Sequence, residues 1–514
     1  MRRLCMSDGD VEYVDVVVVG AGISGIDAAS HLSSEAPGKS FVVLDSNDGI
    51  GGTWWTHRYP GARSDTDLFT YSYGFKPWTG APIAQRDLIL GYLEDAIDEA
   101  GFRSRLRLGR RVVSADWSSA ENLWTIVTER GESNERETFR TPFLWMCQGY
   151  YRHSVPHQPT WEGMAEFGGE IIHPQHWPED LQMQGKHFAV VGSGATAATL
   201  VPALAREGAT VTMLQRSPAY FVPFRNTNET ADKLRSLGIP DAWIHEICRR
   251  EALQFSKARM DRALADPETA RKALLDGVRE QIGDELVEQH FTPRYAPFTQ
   301  RPIIIPDNDF FNEMKAGRVS IVTDTIDRFN DSGILTTSGQ QVDADVIVTA
   351  TGFEMAMLGD AIVSVDGKPA EFEKTITYLG MMFTGIPNFV WTMSHYNASW
   401  TMRADLVSAF AVRLLNHMEQ RGHTRVDVVP KEEDLAADRG EWIDTAKWSP
   451  GYWVRGLPLM PKTLGKSPWY VSNDIFTDFV ELPAVNLDDP EFVYNDPTIT
   501  GNATLAHATA DIGS

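Results

Sequence analysis

Val14-Asp15-Val16-Val17-Val18-Val19-Gly20-Ala21-Gly22-Ile23-Ser24-Gly25 decides the fold. Its first half is β-branched and almost continuously apolar, the pattern of a strand buried on both faces of a parallel sheet. Its second half is G-x-G-x-x-G, a weak pattern alone but a specific one at a strand-to-helix junction. Gly20 makes the tight turn, Gly22 lets backbone approach a pyrophosphate, and Gly25 lets helix and strand pack closely. A helix is predicted over Ser24 to Ser33, ending before Pro37, followed by a strand at Phe41 to Leu44. Asp45 closes that strand about twenty residues after Gly25, where a carboxylate can accept hydrogen bonds from ribose hydroxyls. The helix N-terminus supplies free N–H groups and partial positive charge for phosphate.

A second unit repeats the pattern. His187 to Val191 reads as a strand, Gly192-Ser193-Gly194-Ala195-Thr196-Ala197 as G-x-G-x-x-A, Thr196 to Arg206 as a helix and Thr210 to Leu214 as the next strand. That strand ends in Gln215-Arg216-Ser217, without an acid. A guanidinium there suits a ribose 2′-phosphate through paired hydrogen bonds, so Arg216 and Ser217 indicate NADP rather than NAD. Two dinucleotide sites in one chain imply hydride transfer from NADPH to a bound flavin, FAD. The expected fold is α/β, with two Rossmann-like dinucleotide-binding domains and a helical insertion in the NADP domain. The expected boundaries are 1–150 and 351–485 for the FAD domain, 151–225 and 296–350 for the NADP domain, and 226–295 for the insertion. Residues 486–514 are polar and poor in periodicity, and are expected to form an extended or frayed tail.

Composition narrows the partners. The chain has 514 residues, 42% hydrophobic and 23% charged, which permits large cores. A net charge of −23 disfavours nucleic acid and anionic membranes, so anionic cofactors must be held by local cations and helix ends. The three cysteines, Cys5, Cys147 and Cys248, show no metal or redox spacing. No metal is expected, and a reducing, cytoplasmic setting is. The first ten residues carry two arginines but no apolar core of a signal peptide, and no apolar run approaches the roughly 18 residues that span a bilayer.

Between the two units lies Phe167-Gly168-Gly169-Glu170-Ile171-Ile172-His173-Pro174-Gln175-His176-Trp177-Pro178. Phe167 and Trp177 can anchor in apolar surface, Gly169 permits a turn and Pro178 fixes φ. This stretch matches F-x-G-x-x-x-H-x-x-x-W-[P/D], the fingerprint of Baeyer–Villiger monooxygenases among the class B flavoprotein monooxygenases, which the chain resembles. A second family pattern, G-x-W-x-x-x-R-[F/Y]-P-G-x-x-x-D, is met by Gly52, Trp54, Arg58, Tyr59, Pro60, Gly61 and Asp65. Ala350-Thr351-Gly352-Phe353 resembles the strand end that returns to the FAD domain. Arg-Tyr-Pro-Gly-Ala-Arg-Ser-Asp (58–65) and Asn-Ala-Ser-Trp-Thr-Met-Arg-Ala-Asp-Leu (397–406) are most similar to the ethionamide-activating branch.

The resemblance implies an NADPH- and O2-dependent enzyme that turns ketones into esters or lactones through a flavin C4a-peroxide, and that also oxidises sulfides and thioamides. It implies that Arg301, in Gln300-Arg301-Pro302, holds negative charge with Asp65 as its orienting partner. It implies that Gly52, Trp54, Arg58 and Asp65 join the cofactor site, and that His173 positions the two domains. Gln300 stands where many members have Lys, and Asp45 where many have Glu. His395 to Trp400 and Trp448 to Trp453 are aromatic stretches that could line a substrate pocket, and Trp243, Ile244 and Leu253 could form an apolar face on the insertion. An oxygenase of nitrogen or sulfur alone is the competing expectation. A disulfide reductase would need a C-x-x-C that the chain lacks, and a non-enzymatic redox-binding protein would have no use for Arg301 with Asp65.

Overall fold

The computed structural model describes residues 11–495 apart from Asn134 and Asn397. Val16–Val19 forms a wholly buried strand, and the helix Ile23–Glu35 opens directly on the glycine turn. Its sheet is five-stranded and parallel throughout, in the order Phe389–Trp391, Phe143–Met146, Val16–Val19, Phe41–Leu44, Leu106–Arg107. A second parallel five-stranded sheet runs Val319–Thr323, Thr210–Gln215, His187–Val191, Val346–Thr349, Glu170–Ile172. In each sheet the strand that precedes the glycine loop is the central one. Later strands flank it on both sides, so each loop sits at a switch point where a crevice opens beyond the carboxyl ends.

An antiparallel layer joins the first half to the second. Arg110–Ser118, Leu123–Arg130 and Glu135–Thr141 form its centre, and Ile362–Val365 adds to Arg110–Ser118 in parallel. Trp117 and Trp124 face each other across two strands at 5.6 Å and are fully buried, and the Phe389 ring of the returning chain packs on Trp124 at 6.2 Å.

The insertion is helical as expected: Glu229–Ser236, Asp241–Ala265, Pro267–Ile282 and Asp284–His290. Asn228 and Asp266 cap two of these helices by accepting from the backbone N–H of Ala231 and Thr269. Trp243, Ile244 and Leu253 do not share a face. Ile244 is buried while Trp243 is 64% exposed, because adjacent positions diverge by about 100° on a helix. The start of the tail also departs from expectation. Phe492–Tyr494 pairs antiparallel with Val426–Val428 and buries Phe492, whose ring packs against Tyr378 at 5.0 Å. Residues 496–514 of the expected tail lie outside the described residues. Among the described residues no helix is long and apolar enough to cross a membrane.

Candidate active site

Two glycines of the first loop are dictated by contact. Gly20 has φ +109°, and a Cβ there would lie 2.5 Å from the Cys147 carbonyl oxygen. A Cβ on Gly25 would overlap the Gly20 carbonyl oxygen. Gly22 faces Gly52, itself at φ +56°, and a Cβ on Gly52 would come 3.1 Å from the Gly22 Cα. This bare backbone lies beside the N-terminus of Ile23–Glu35, which has no side-chain cap. Its first N–H groups are therefore available to an anion. Asp45 is buried at the next strand end. Its Oδ2 accepts from the Ala21 N–H at 2.6 Å and its Oδ1 from the Asn47 N–H at 2.8 Å, so it braces the turn. Burial raises its pKa, against those hydrogen bonds. Gln148, beside Gly20, has both carboxamide atoms buried without a partner. A ligand with donors and acceptors would satisfy them, and a flavin dinucleotide on this loop fits that need.

The loop opens on a cavity of about 530 Å³ lined by Gly20, Gly22, Asp45, Gly52, Trp54, Asp65 and Arg301, and on its far side by Ala195, Thr196 and Thr199 of the second unit. Arg301 and Asp65 meet at its wall. Nη1 donates to Oδ1 at 3.0 Å and to Oδ2 at 2.9 Å, and Nη2 donates to the Tyr396 carbonyl at 3.3 Å. Burial alone would raise the Asp65 pKa, but the Arg301 charge and hydrogen bonds hold it below the usual range. Arg301 is pushed up in turn by Asp65, against its own desolvation.

The segment carrying Asp65 also docks the two sheets together. Gly61, at φ +77°, sits where a Cβ would meet the Thr199 carbonyl at 2.6 Å. Arg63 pairs with Asp309, which also takes Arg206. Arg58 is not brought to the cavity. It lies over Trp55 at 4.6 Å and pairs with Glu179 of the connecting segment at 3.0 Å. In that segment Phe167 is buried, Trp177 packs on the second core, and a Cβ on Gly169 would overlap the Asp345 carbonyl. His173 caps a short turn, its Nδ1 accepting from the Gln175 N–H at 3.2 Å, while Nε2 is buried without a partner. Burial lowers its pKa to about 4.

The second loop repeats the first. Gly192 has φ +133°, and its Cβ would overlap the Ala350 carbonyl. Gly194 begins Ala195–Arg206 without a side-chain cap, and Ala197 is buried in the contact between helix and sheet. Arg216 and Ser217 are exposed where Thr210–Gln215 ends, and the Ser193 hydroxyl donates to the Ser217 carbonyl at 2.9 Å. The loop and the arginine turn are thus one unit.

Comparisons with known proteins agree with this geometry. An NAD(P)-binding Rossmann-like domain matches residues 18–85, and the flavin-binding monooxygenase-like family matches residues 105–230. FAD-containing monooxygenase EthA of Mycolicibacterium smegmatis is 42% identical over 91% of this chain and 94% of its own. The chain is a member of the FAD-containing monooxygenase family. Its likeness to EthA places it in that branch, and its cofactors are FAD and NADP(H). The fold matches an open cyclohexanone monooxygenase with a TM-score of 0.75 at 23% identity, over 94% of this chain and 100% of that one. A Rhodococcus cyclohexanone monooxygenase mutant bound to NADP+ matches with a TM-score of 0.67 at 25% identity, over 82% and 88%.

The monooxygenase cavity also holds residues that sequence patterns did not mark. Tyr150 and Tyr151 follow the strand Phe143–Met146 and share a hydroxyl hydrogen bond at 3.1 Å. Tyr150 stacks on Trp400 at 5.4 Å, and Tyr151 lies 4.5 Å from Phe353. Of the two aromatic stretches, His395, Ala398 and Trp400 line the cavity, whereas Tyr452 and Trp453 pack behind Tyr150. Away from the cavity, Asp27, His31 and Asp405 bring potential metal-ligand atoms within 4.8 Å of one another. Both His31 ring nitrogens already bond carboxylates, Glu35 at 2.6 Å and Asp405 at 3.1 Å, which makes this a charge network.

Proposed function

We propose that this monooxygenase inserts one oxygen atom of O2 into ketones, giving esters or lactones, and oxidises sulfides and thioamides in the same cavity. The balance is ketone, O2, NADPH and a proton to ester, water and NADP+. The Arg301–Asp65 pair, at the wall of the cavity on which the first loop and the second unit's helix converge, carries this proposal.

FAD, when bound, accepts hydride from NADPH and activates dioxygen. The chain's residues supply the rest. Gly20, Gly22, Gly25, Asp45, Gly52 and Trp54 would hold the flavin dinucleotide, and Gly192, Gly194, Ala197, Arg216 and Ser217 the NADP. Arg301 places a fixed cation where negative charge develops as an oxygen nucleophile adds to a carbonyl carbon. Asp65 and the Tyr396 carbonyl hold the guanidinium from two sides, so little reorganisation is needed when that charge appears. Thioethers and thioamides attack an electrophilic oxygen themselves and have less need of the cation. His173 acts on the geometry of the connecting segment. The Gly61 and Arg63 contacts hold the second unit against the cavity, which helps exclude water. The reaction, its reductant and the sparse cysteines suit the cytoplasm.

The test is turnover of the FAD-loaded enzyme with NADPH, 18O2 and a panel of cyclic and linear ketones. One labelled oxygen per ester is expected. Failure on every ketone, with sulfides still oxidised, would refute the ketone assignment.

A further inference from the structure

We propose that His57 and His153 bind the carboxamide end of the nicotinamide of NADP(H), acting as positioning residues between the second glycine loop and Arg301. The proposal rests on the assignment of NADP to that loop. His57 ends the turn Thr53–Thr56 and lines the cavity, as does His153. His57 is only 4% exposed, yet neither of its ring nitrogens has a partner, and the Nδ1 of His153 is also buried and unpartnered. Three orphaned nitrogens in one cavity wall are unusual, since buried polar atoms are nearly always paired. The two rings are edge-on at 5.9 Å.

Their surroundings say which ligand they suit. His57 packs against Tyr59 at 5.8 Å and Phe353 at 5.3 Å. The Tyr59 phenol lies beside the hydroxyls of Thr196 and Thr199, in the helix that opens on the second loop. Phe353 follows the strand Val346–Thr349, which is paired with the second unit's central strand. With the 2′-phosphate near Arg216, the nicotinamide half would enter the cavity that Thr196 and Arg301 both line. Tyr59, His57, His153 and Phe353 line that same cavity. Burial keeps both imidazoles neutral, with His57 lowered to about 3 and His153 to about 4, the neighbouring histidines adding to the effect on His57. A neutral imidazole offers one N–H and one lone pair. A primary carboxamide offers an acceptor and two donors, and the flat pyridine ring suits the aromatic edges of Tyr59 and Phe353. Uncharged rings also spare the cationic oxidised nicotinamide a repulsion.

The experiment titrates the FAD-loaded wild type, His57→Phe, His57→Asn and His153→Phe with NADP+ and, separately, with adenosine 2′,5′-bisphosphate, which has no nicotinamide half. The Phe variants should weaken NADP+ binding about tenfold, the loss of one hydrogen bond to a buried partner. They should leave the bisphosphate within about twofold, and His57→Asn should recover part of the loss. Retained FAD and intact bisphosphate binding report a folded protein. Unchanged NADP+ affinity in both Phe variants overturns the proposal, as does equal weakening of both ligands. Loss of FAD on substitution would assign these rings to the flavin and overturn it too. If the wild type fails to bind the bisphosphate, the second-loop assignment falls, and this proposal with it.

Discussion

Replacing Arg301 by Ala should separate ketone oxygenation from sulfur oxygenation. In the structure the Arg301 Nη1 lies 2.9 and 3.0 Å from the two Asp65 oxygens. At an effective dielectric near 20 that is about 6 kcal/mol of gross attraction. Arg301 is 39% and Asp65 30% exposed, so solvent reduces the net contribution to folding to about 1 kcal/mol. The variant should therefore fold and keep FAD. Its cost falls on the transition state, where losing one preorganised positive donor is worth about 10²- to 10³-fold in rate. The ketone kcat/KM should drop by about 10³-fold, because Asp65 is also left as an unbalanced carboxylate. Thioether kcat/KM should change by less than about fivefold, since sulfur attack builds no alkoxide. Asp65→Asn keeps the cation and loosens only its anchor, so a drop of about tenfold on ketones is expected. The assay is NADPH-coupled product formation on one ketone and one thioether, with released hydrogen peroxide measured as uncoupling. Equal losses on both substrates, with FAD and NADP+ binding intact, would refute the cation's specific role. So would an Asp65→Asn defect larger than that of Arg301→Ala.

Gly25→Ala should yield protein with little bound FAD, read from the flavin absorbance ratio, because the added methyl overlaps the Gly20 carbonyl. A normal ratio would show that the loop can relax. Arg216→Ala should lower kcat/KM for NADPH by about 10- to 100-fold and leave NADH unchanged, the worth of a guanidinium–phosphate contact. An equal fall for both nucleotides would place the arginine's role elsewhere. His57 ties stability to acid. Its folded pKa is pushed down to about 3, against about 6.5 in the unfolded chain. Below 6.5 the unfolded chain binds more protons, so His57 costs stability as pH falls toward 3. The cost is about 2 kcal/mol at pH 5 relative to pH 8. His57→Phe removes it, so the variant's urea stability relative to wild type should improve by about that amount between pH 8 and pH 5. A difference that does not change with pH would refute the assignment of His57 as a buried neutral ring.

The two parallel sheets were legible because their determinants are local. A β-branched run ending in G-x-G-x-x-G admits few conformations, and the glycines are there because a methyl would strike Cys147, Gly20 or Ala350. The Arg301–Asp65 meeting was legible only through resemblance, since 236 residues separate the partners and no periodicity links them. Arg58 shows the limit of a motif. The pattern places it with the cofactor residues, but its side chain turns to Glu179. His57 and His153 left no signal, because a lone histidine in a loop reads as a surface residue until the fold buries it. Phe492–Tyr494 was missed because a three-residue strand is too short for alternation to register.

The most direct test of the central claim is one turnover experiment. The FAD-loaded enzyme receives NADPH, O2 and a single probe bearing both a ketone and a thioether, and the product is identified by NMR. Mass cannot distinguish the outcomes, because insertion and sulfoxidation each add one oxygen. The account predicts ester in the wild type and its selective loss in Arg301→Ala, with sulfoxide retained. Sulfoxide alone from the wild type, repeated across probes with differently shaped ketones, would contradict it and leave a heteroatom oxygenase.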